Sequence, residues 1–225
     1  MTFSLAARCS QTRRLGVAIS SSSPAVAARC AHARPQVGAV CSQNITDPRL
    51  GPAVLDLLAA KASARAALDV IIAATPKIDY RQLVVIDAEG RTAVFSGGYV
   101  LGVYGSAEGM DVAAAGNLLA NPDIPAAMVA AFEAAGGDFG DRLLAGLQAG
   151  LATGGEAGPV HSAGLYIVDA EAFPVADLRV DWDEADPIGR LVDLWALYRP
   201  QLEAYVTRAL DPTAAPSYGV PGDDT

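Results

Sequence analysis

Position 2 is a threonine immediately after Met1, and a threonine placed there has a chemistry that needs no partner residue. It is small enough for methionine aminopeptidase to remove Met1, which would leave one residue carrying both a hydroxyl and a free α-amine. An unperturbed α-amine titrates at about 7.7 to 8.0, so a good fraction is neutral at physiological pH and can take the hydroxyl proton as the oxygen attacks. Such a centre cleaves an amide-like C–N bond through an acyl-enzyme, the amine serving first as base and then as acid. No histidine is required, and the chain holds 2.

The histidines and acids offer weaker chemistry. His161 opens an apolar run and reads either as a strand-edge or core histidine or as a substrate-orienting group. His32 follows Cys30 by two positions, but nothing nearby supplies the further ligands that a metal site needs. Asp47, in Thr46-Asp47-Pro48, reads as a cleft-loop residue or as an ordinary turn starter. The acids Asp181, Asp183, Glu184 and Asp186 fit a solvated loop at the positive N-terminus of the last long helix.

Strands and helices must position these groups. Phe3 to Ala7 and Leu15 to Ile19 read as a terminal hairpin around Ser10-Gln11-Thr12-Arg13-Arg14, followed by a polar, Ala-rich connection and a third apolar run, Val37 to Cys41. Ser42 to Pro48 then reads as a loop. Helical spacing appears over Pro52 to Ala60 and over Ala64 to Ala74, the latter with Ser63 as N-cap. Gln82 to Ile86 and Thr92 to Phe95 make a second hairpin. Ser96 to Gly109, rich in Gly and Tyr and including Tyr104, reads as a strand and loop beside a surface cleft.

Asp111 to Ala115 reads as a further strand, and helices follow over Pro125 to Ala135 and from an Asp138 cap through Leu151. A third hairpin spans His161 to Val168 and Phe173 to Val180, and Pro187 starts a long helix that Pro200 kinks or splits. Strands, helix pairs and strands again suggest an α+β fold, a four-layer αββα sandwich of two mostly antiparallel sheets covered by helices. We expect one domain over residues 1–210 and a flexible acidic tail over 211–225.

Composition removes several function classes. Lys and Arg number 16 against 25 Asp and Glu, a formal net charge of -9 that repels phosphate backbones and anionic lipid, so neither nucleic acid nor membrane is an expected partner. Three cysteines, Cys9, Cys30 and Cys41, lack C-x-x-C spacing and read as reduced, buried thiols, with neither disulfides nor a metal expected. No apolar run reaches the roughly 18 residues a spanning helix needs, and no charged leader precedes one, so a cytoplasmic protein is expected. The glycines follow neither the dinucleotide-binding nor the phosphate-loop order and no G-x-S-x-G occurs, so no cofactor is expected.

One resemblance runs through most of the chain. Thr2-Phe3-Ser4, Leu15-Gly16-Val17-Ala18, Val37-Gly38-Ala39-Val40 with Ser42-Gln43, and Leu50-Gly51-Pro52 are followed by Tyr80-Arg81-Gln82-Leu83, Val85 to Arg91, and Gly116-Asn117-Leu118-Leu119-Ala120. Arg142-Leu143-Leu144, Leu178-Arg179-Val180-Asp181 and Asp186-Pro187 continue the order. Together they resemble a bacterial family designated only as a domain of unknown function, number one-zero-two-eight, placed in the N-terminal-nucleophile hydrolase-like superfamily.

The resemblance implies an αββα fold with its site at the first strand and amidohydrolase activity on small C–N substrates. It implies Thr2 as nucleophile, Gln43 and Asn117 as polar cleft residues, with Asn117 aimed at the oxyanion, and Ser20 beside the amine. This chain departs from the family at Val103-Tyr104-Gly105-Ser106, where members show Trp-Ala-Gly-His, at Ala115-Gly116-Asn117, where they often show Gln-Gly-Asn, and at Gly158-Pro159-Val160-His161-Ser162, where they show Arg-Gly-Arg-Gln-Ser. The expected partner is a small-molecule amide or ureido substrate, with His161, Asp47 and Tyr104 as candidate binding residues. A catalytically inactive ligand-binding or assembly module on the same fold is the alternative. Leu194, Trp195 and Tyr198 are candidates for a homo-oligomer contact, a dimer by expectation, or for core.

Overall fold

Side chains alternate along a strand, and the first two strands use both faces for burial. In the computed structural model, which describes residues 1–222, β1 (Thr2–Arg8) pairs antiparallel with β2 (Leu15–Ser21), Phe3 opposite Ser20 and Leu5 opposite Ala18. Phe3, Leu5 and Ala7 pack into one hydrophobic layer while Ala6, Val17 and Ile19 pack into another. Burial on both faces favours apolar residues at successive positions, which is why Leu5 to Ala7 and Leu15 to Ile19 read as apolar runs.

Four more strands complete the larger sheet: β7 (Gly105–Gly109), β8 (Val112–Asn117), β9 (Ser162–Val168) and β10 (Pro174–Val180), in the order β10-β9-β2-β1-β8-β7. The smaller sheet, β3-β4-β5-β6, holds β3 (Ala31–Arg34), β4 (Gly38–Asn44), β5 (Arg81–Asp87) and β6 (Thr92–Ser96). All pairings between named strands are antiparallel.

Three hydrophobic layers join the parts. Helices α4 (Ile124–Ala134), α5 (Phe139–Ala152) and α6 (Pro187–Tyr198) cover the outer face of the larger sheet with Met128, Phe132, Leu143, Leu147 and Leu191. Between the sheets lie Ala6, Val17, Ile19, Cys41, Val84 and Ile86. Helices α2 (Leu50–Ala59) and α3 (Ala64–Ala74) cover the smaller sheet with Val54, Leu58 and Leu68. Each fully buried large side chain stabilises by about 1.5–3 kcal/mol. The layer order is helix, sheet, sheet, helix, as the order of elements in the sequence suggests.

Local expectations were met at several ends. The Ser63 hydroxyl accepts from the Ala66 N–H at 3.2 Å at the start of α3, and Pro200 sits in a 3-10 turn between α6 and α7 (Leu202–Leu210). Elsewhere the structure differs. The connection after β2 contains α1 (Val26–Cys30) and β3, and β4 runs on through Asn44, so the loop expected from Ser42 begins at Ile45. A five-residue helix has no visible period, and this one opens on Ala25 in a left-handed conformation without a capping side chain. Trp195 is buried and donates its Nε1–H to Asp141 at 2.7 Å, and the Tyr198 hydroxyl donates to the Val175 carbonyl at 2.9 Å, so both belong to this chain's own packing. The described part of the tail, 211–222, packs back on α7, with Arg208 donating to the Pro216 carbonyl at 2.9 Å; its last three residues lie outside the described ones.

Candidate active site

Toward the N-terminal end of β1, the inner faces of both sheets change from apolar to polar. The inward set runs Ala6, Ser4, Thr2 on β1 and Ala113, Ala115, Asn117 on β8, with Thr2 directly opposite Asn117. On the facing sheet Cys41 gives way to Gln43, Val84 to Gln82 and Val94 to Ser96, and Gln82 lies opposite both Gln43 and Ser96. Thr2 is 6% exposed, Asn117 1%, and Gln43 and Gln82 are fully buried.

Buried amides need partners, and these bond to one another across the gap between the sheets. The Ser4 hydroxyl donates to Gln43 Oε1 at 2.6 Å, and Gln43 Nε2 donates to Gln82 Oε1 at 2.8 Å and to the Ala115 carbonyl at 3.2 Å. Asn117 Nδ2 donates to the same Gln82 Oε1 at 3.1 Å, while Gln82 Nε2 donates to Ser96 Oγ at 3.0 Å and to the Gly116 carbonyl at 3.1 Å. Gln82 thereby uses both acceptor sites and both N–H groups. Asn117 is held on the strand opposite Thr2 with one N–H engaged.

The structure holds Met1, and its carbonyl accepts from the hydroxyls of Thr2 and Ser21. The two hydroxyl oxygens lie 3.3 Å apart. A Cβ on Gly158 would stand 3.2 Å from the Met1 methyl carbon, so the methionine side chain rests on the loop that follows α5. That loop also carries Glu156, 5% exposed, whose two carboxylate oxygens accept from the Ser22 N–H at 3.1 and 3.2 Å. Burial pushes the Glu156 carboxyl up to about 7, against the pull of the terminal amine and Ser22. Leu118, directly after Asn117, has a φ of 52°, a left-handed conformation that costs a leucine about 1–3 kcal/mol. This turn lets the Leu118 carbonyl accept from Ala157 at 2.9 Å and the Ala120 N–H bond Gly155 at 3.0 Å, lacing the Glu156 loop to the end of β8.

Of the residues expected from the sequence, Thr2, Asn117 and Gln43 come together. Gln43 has both N–H groups engaged and reaches Thr2 only through its neighbours. Ser20 is corrected: it lies opposite Phe3, faces the outer helical layer and donates to the Ser162 carbonyl at 2.9 Å, so the alternation puts Ser21 beside Thr2 instead. Asp47 turns its carboxylate to Arg49, at 2.7 and 2.9 Å, and that guanidinium holds the carboxyl down at about 2. The ring of His161 stacks on Trp182 at 4.3 Å on the outer rim, although its backbone N–H bonds the Ser21 carbonyl at 2.9 Å. Tyr104 is about half exposed, on the segment whose Leu101 and Val103 carbonyls accept from the N–H groups of Leu118 and Leu119. His32 packs its ring against Gly51.

Ser21, Gln82, Ser96 and Glu156 were not singled out from the sequence. Placing Ile19 and Val84 inside would have found Ser21 and Gln82, two positions along the same faces, whereas Glu156 sits on a loop with no period to read. Cys41, the thiol on the inner face, does not compete as a nucleophile, because burial pushes it up to about 12. Among the described residues, no group of three His, Cys, Asp or Glu side chains could hold a metal ion, and no helix is long and apolar enough to cross a membrane.

The arrangement can therefore present a hydroxyl, a second hydroxyl and an anchored amide to one small group in the Met1 position. A family model described as a family of unknown function, DUF1028, matches residues 2–191. A crystal structure of a Silicibacter pomeroyi protein carrying the same family model aligns with a TM-score of 0.81 at 28% identity, over 87% of this chain and 88% of that one. The ancestral β-subunit Anbu from Yersinia bercovieri aligns at a TM-score of 0.39 and 11% identity, over 90% of this chain and 96% of that one. No curated protein matches.

Proposed function

We propose a reaction for a chain that belongs to the DUF1028 family of unknown function: hydrolysis of an amide or ureido-like C–N bond of a small molecule, with Thr2 as an N-terminal nucleophile. The observation that carries the reading is the position of Thr2. It lies buried at the polar end of the inter-sheet layer, opposite Asn117 and 3.3 Å from Ser21 Oγ. A threonine on a loose terminus would have none of this.

Removal of Met1 has two consequences. It frees the α-amine that must act as base, and it empties the space in front of the Thr2 hydroxyl. In the first step the Oγ proton moves to the neutral amine as the Oγ–C bond forms and the substrate carbonyl becomes an oxyanion. The free N–H of Asn117 is the donor we assign to that oxyanion, worth roughly a hundredfold in rate. The ammonium then protonates the leaving nitrogen, the C–N bond breaks and an ester remains on Thr2. Water gives a proton to the amine, attacks the ester and returns Oγ–H.

Intact mass of the protein from a native-like host, followed by turnover of a panel of small amides and ureido compounds, tests this. The expected result is a chain lacking Met1 whose hydrolysis of at least one compound disappears in Thr2→Ala. Quantitative retention of Met1, or turnover that survives Thr2→Ala, removes the nucleophile and leaves the non-catalytic module as the reading.

A further inference from the structure

Three acids among the described residues are buried, and two have a guanidinium partner. Asp47 is bonded to Arg49. Asp87 is bonded to Arg91 at 2.8 Å and accepts from the backbone N–H groups of Ala64, Glu89 and Arg91. Glu156 pairs with no cationic side chain among the described residues. A buried carboxylate without a counter-charge is strongly disfavoured and either takes a proton or recruits a cation. The segments laced to it, 21–23 and 118–120, carry no titratable or charged side chain. The chain terminus lies at the same loop: the Met1 methyl group packs on Gly158, two residues after Glu156, and Ser22, whose N–H the carboxylate accepts, follows the Ser21 whose hydroxyl donates to the Met1 carbonyl.

We propose that Glu156 is the counter-charge of the catalytic amine, a positioning residue whose buried carboxylate holds the α-ammonium that forms when Thr2 gives up its hydroxyl proton. The inference rests on the Thr2 reading and deepens it. Processing moves the amine one residue along the strand, about 3.8 Å between consecutive Cα atoms, which keeps it within Coulomb range of the Glu156 loop. During acylation Glu156 exchanges no atoms. The proton travels from Oγ to the amine and then to the leaving nitrogen, while the carboxylate lowers the energy of the intermediate cation and fixes the direction of the amine lone pair. Ser22 N–H, bonded to both carboxylate oxygens, fixes the acid in turn.

The test compares processed wild type, Glu156→Gln, Glu156→Asp and Thr2→Ala as full chains. Two quantities are followed against pH: the Thr2 α-amine titration, from its 13Cα shift in threonine-labelled protein, and the rate of p-nitrophenyl acetate acylation with the Thr2→Ala background subtracted. An opposite charge at this range moves a titration by about one unit or more. Glu156→Gln is therefore expected to shift both the amine titration and the acid limb of the rate profile to lower pH by about one unit, and to lower the plateau by about tenfold. Glu156→Asp is expected to restore part of both. A merely structural role would lower the rate without moving the limb.

Wild-type acylation at Thr2 with identical titrations in wild type and Glu156→Gln overturns the role of Glu156 and leaves the nucleophile standing. Absence of Thr2-dependent acylation in wild type overturns both. Should Glu156→Gln fail to fold, Glu156→Ala takes its place, because it also removes the charge: an unshifted amine titration and an unshifted limb in that variant refute the pairing.

Discussion

Replacing Gln82 with methionine keeps the length and most of the volume of the side chain and deletes its amide. The structure fixes what is left behind. Asn117 Nδ2 loses its acceptor, Gln43 Nε2 keeps only the Ala115 carbonyl, and Ser96 Oγ and the Gly116 carbonyl each lose a donor. A buried donor stripped of its partner costs about 1–3 kcal/mol. One such donor and a second half-satisfied one put the loss at about 2–4 kcal/mol, on the order of 10 °C in Tm for a domain of this size. Thermal and urea unfolding of wild type and Gln82→Met measure it.

The sharper readout is a cycle with Asn117→Ala. Once Gln82 is gone the Asn117 amide has nothing to lose, so the two substitutions should couple by about 1–3 kcal/mol. Additivity within about 0.5 kcal/mol would refute the idea that Gln82 anchors Asn117.

Three further outcomes are expected. Glu156→Gln should change the pH dependence of stability: the folded carboxyl titrates at about 7 against an ordinary 4.5. Its contribution is fully present below about 4.5 and is lost as pH rises through 7, by about 3 kcal/mol. Urea unfolding should then find the Gln variant equal to wild type at pH 4 and more stable at pH 8; parallel curves would refute the buried, unpaired acid. Ser21→Ala should slow Thr2 acylation about tenfold or more, whereas Ser20→Ala, on the opposite face, should stay within about twofold, and stopped-flow burst rates separate the two. Gly164→Ala should destabilise by about 1–3 kcal/mol through overpacking, since its Cβ would come within 2.3 Å of the Ala27 Cβ on α1; a neutral effect in thermal melts would mean that α1 can shift off the sheet.

The legibility of this chain follows burial. Strands such as β1 and β2, buried on both faces, show as runs of apolar residues, and helices such as α3 and α5 show one apolar stripe with a capping residue in front. Their order was enough for the layered α+β architecture. What the runs conceal is parity: when both faces are apolar, nothing in Leu15-Gly16-Val17-Ala18-Ile19 says which residues look into the other sheet. The choice between Ser20 and Ser21 was made by the pairing of Phe3 with Ser20, a tertiary fact. Gln82 was hidden in the same way at the head of β5. Glu156 is farther from reach, because what marks it is burial without a cationic side chain among the described residues, and a missing side-chain partner has no local signature in the sequence.

Under the proposed Thr2 mechanism, Met1 ties stability to activity in a way that can be measured. In the unprocessed chain its carbonyl accepts from two buried hydroxyls and its side chain lies on the Gly158 loop. Each hydrogen bond contributes about 0.5–1.5 kcal/mol, and the half-buried side chain adds on the order of 1 kcal/mol. Excision therefore leaves Thr2 and Ser21 hydroxyls facing an open space, and the mature chain should be less stable than the precursor by about 2–4 kcal/mol. If the proposed mechanism holds, the lost contacts are those a substrate carbonyl would remake, so an open substrate mouth and a lowered Tm have one origin. Matched preparations with and without Met1, compared by calorimetry, provide the measurement. Equal or higher stability of the mature chain would mean that Met1 does not occupy the substrate's place, and the geometric case for Thr2 would lose its support.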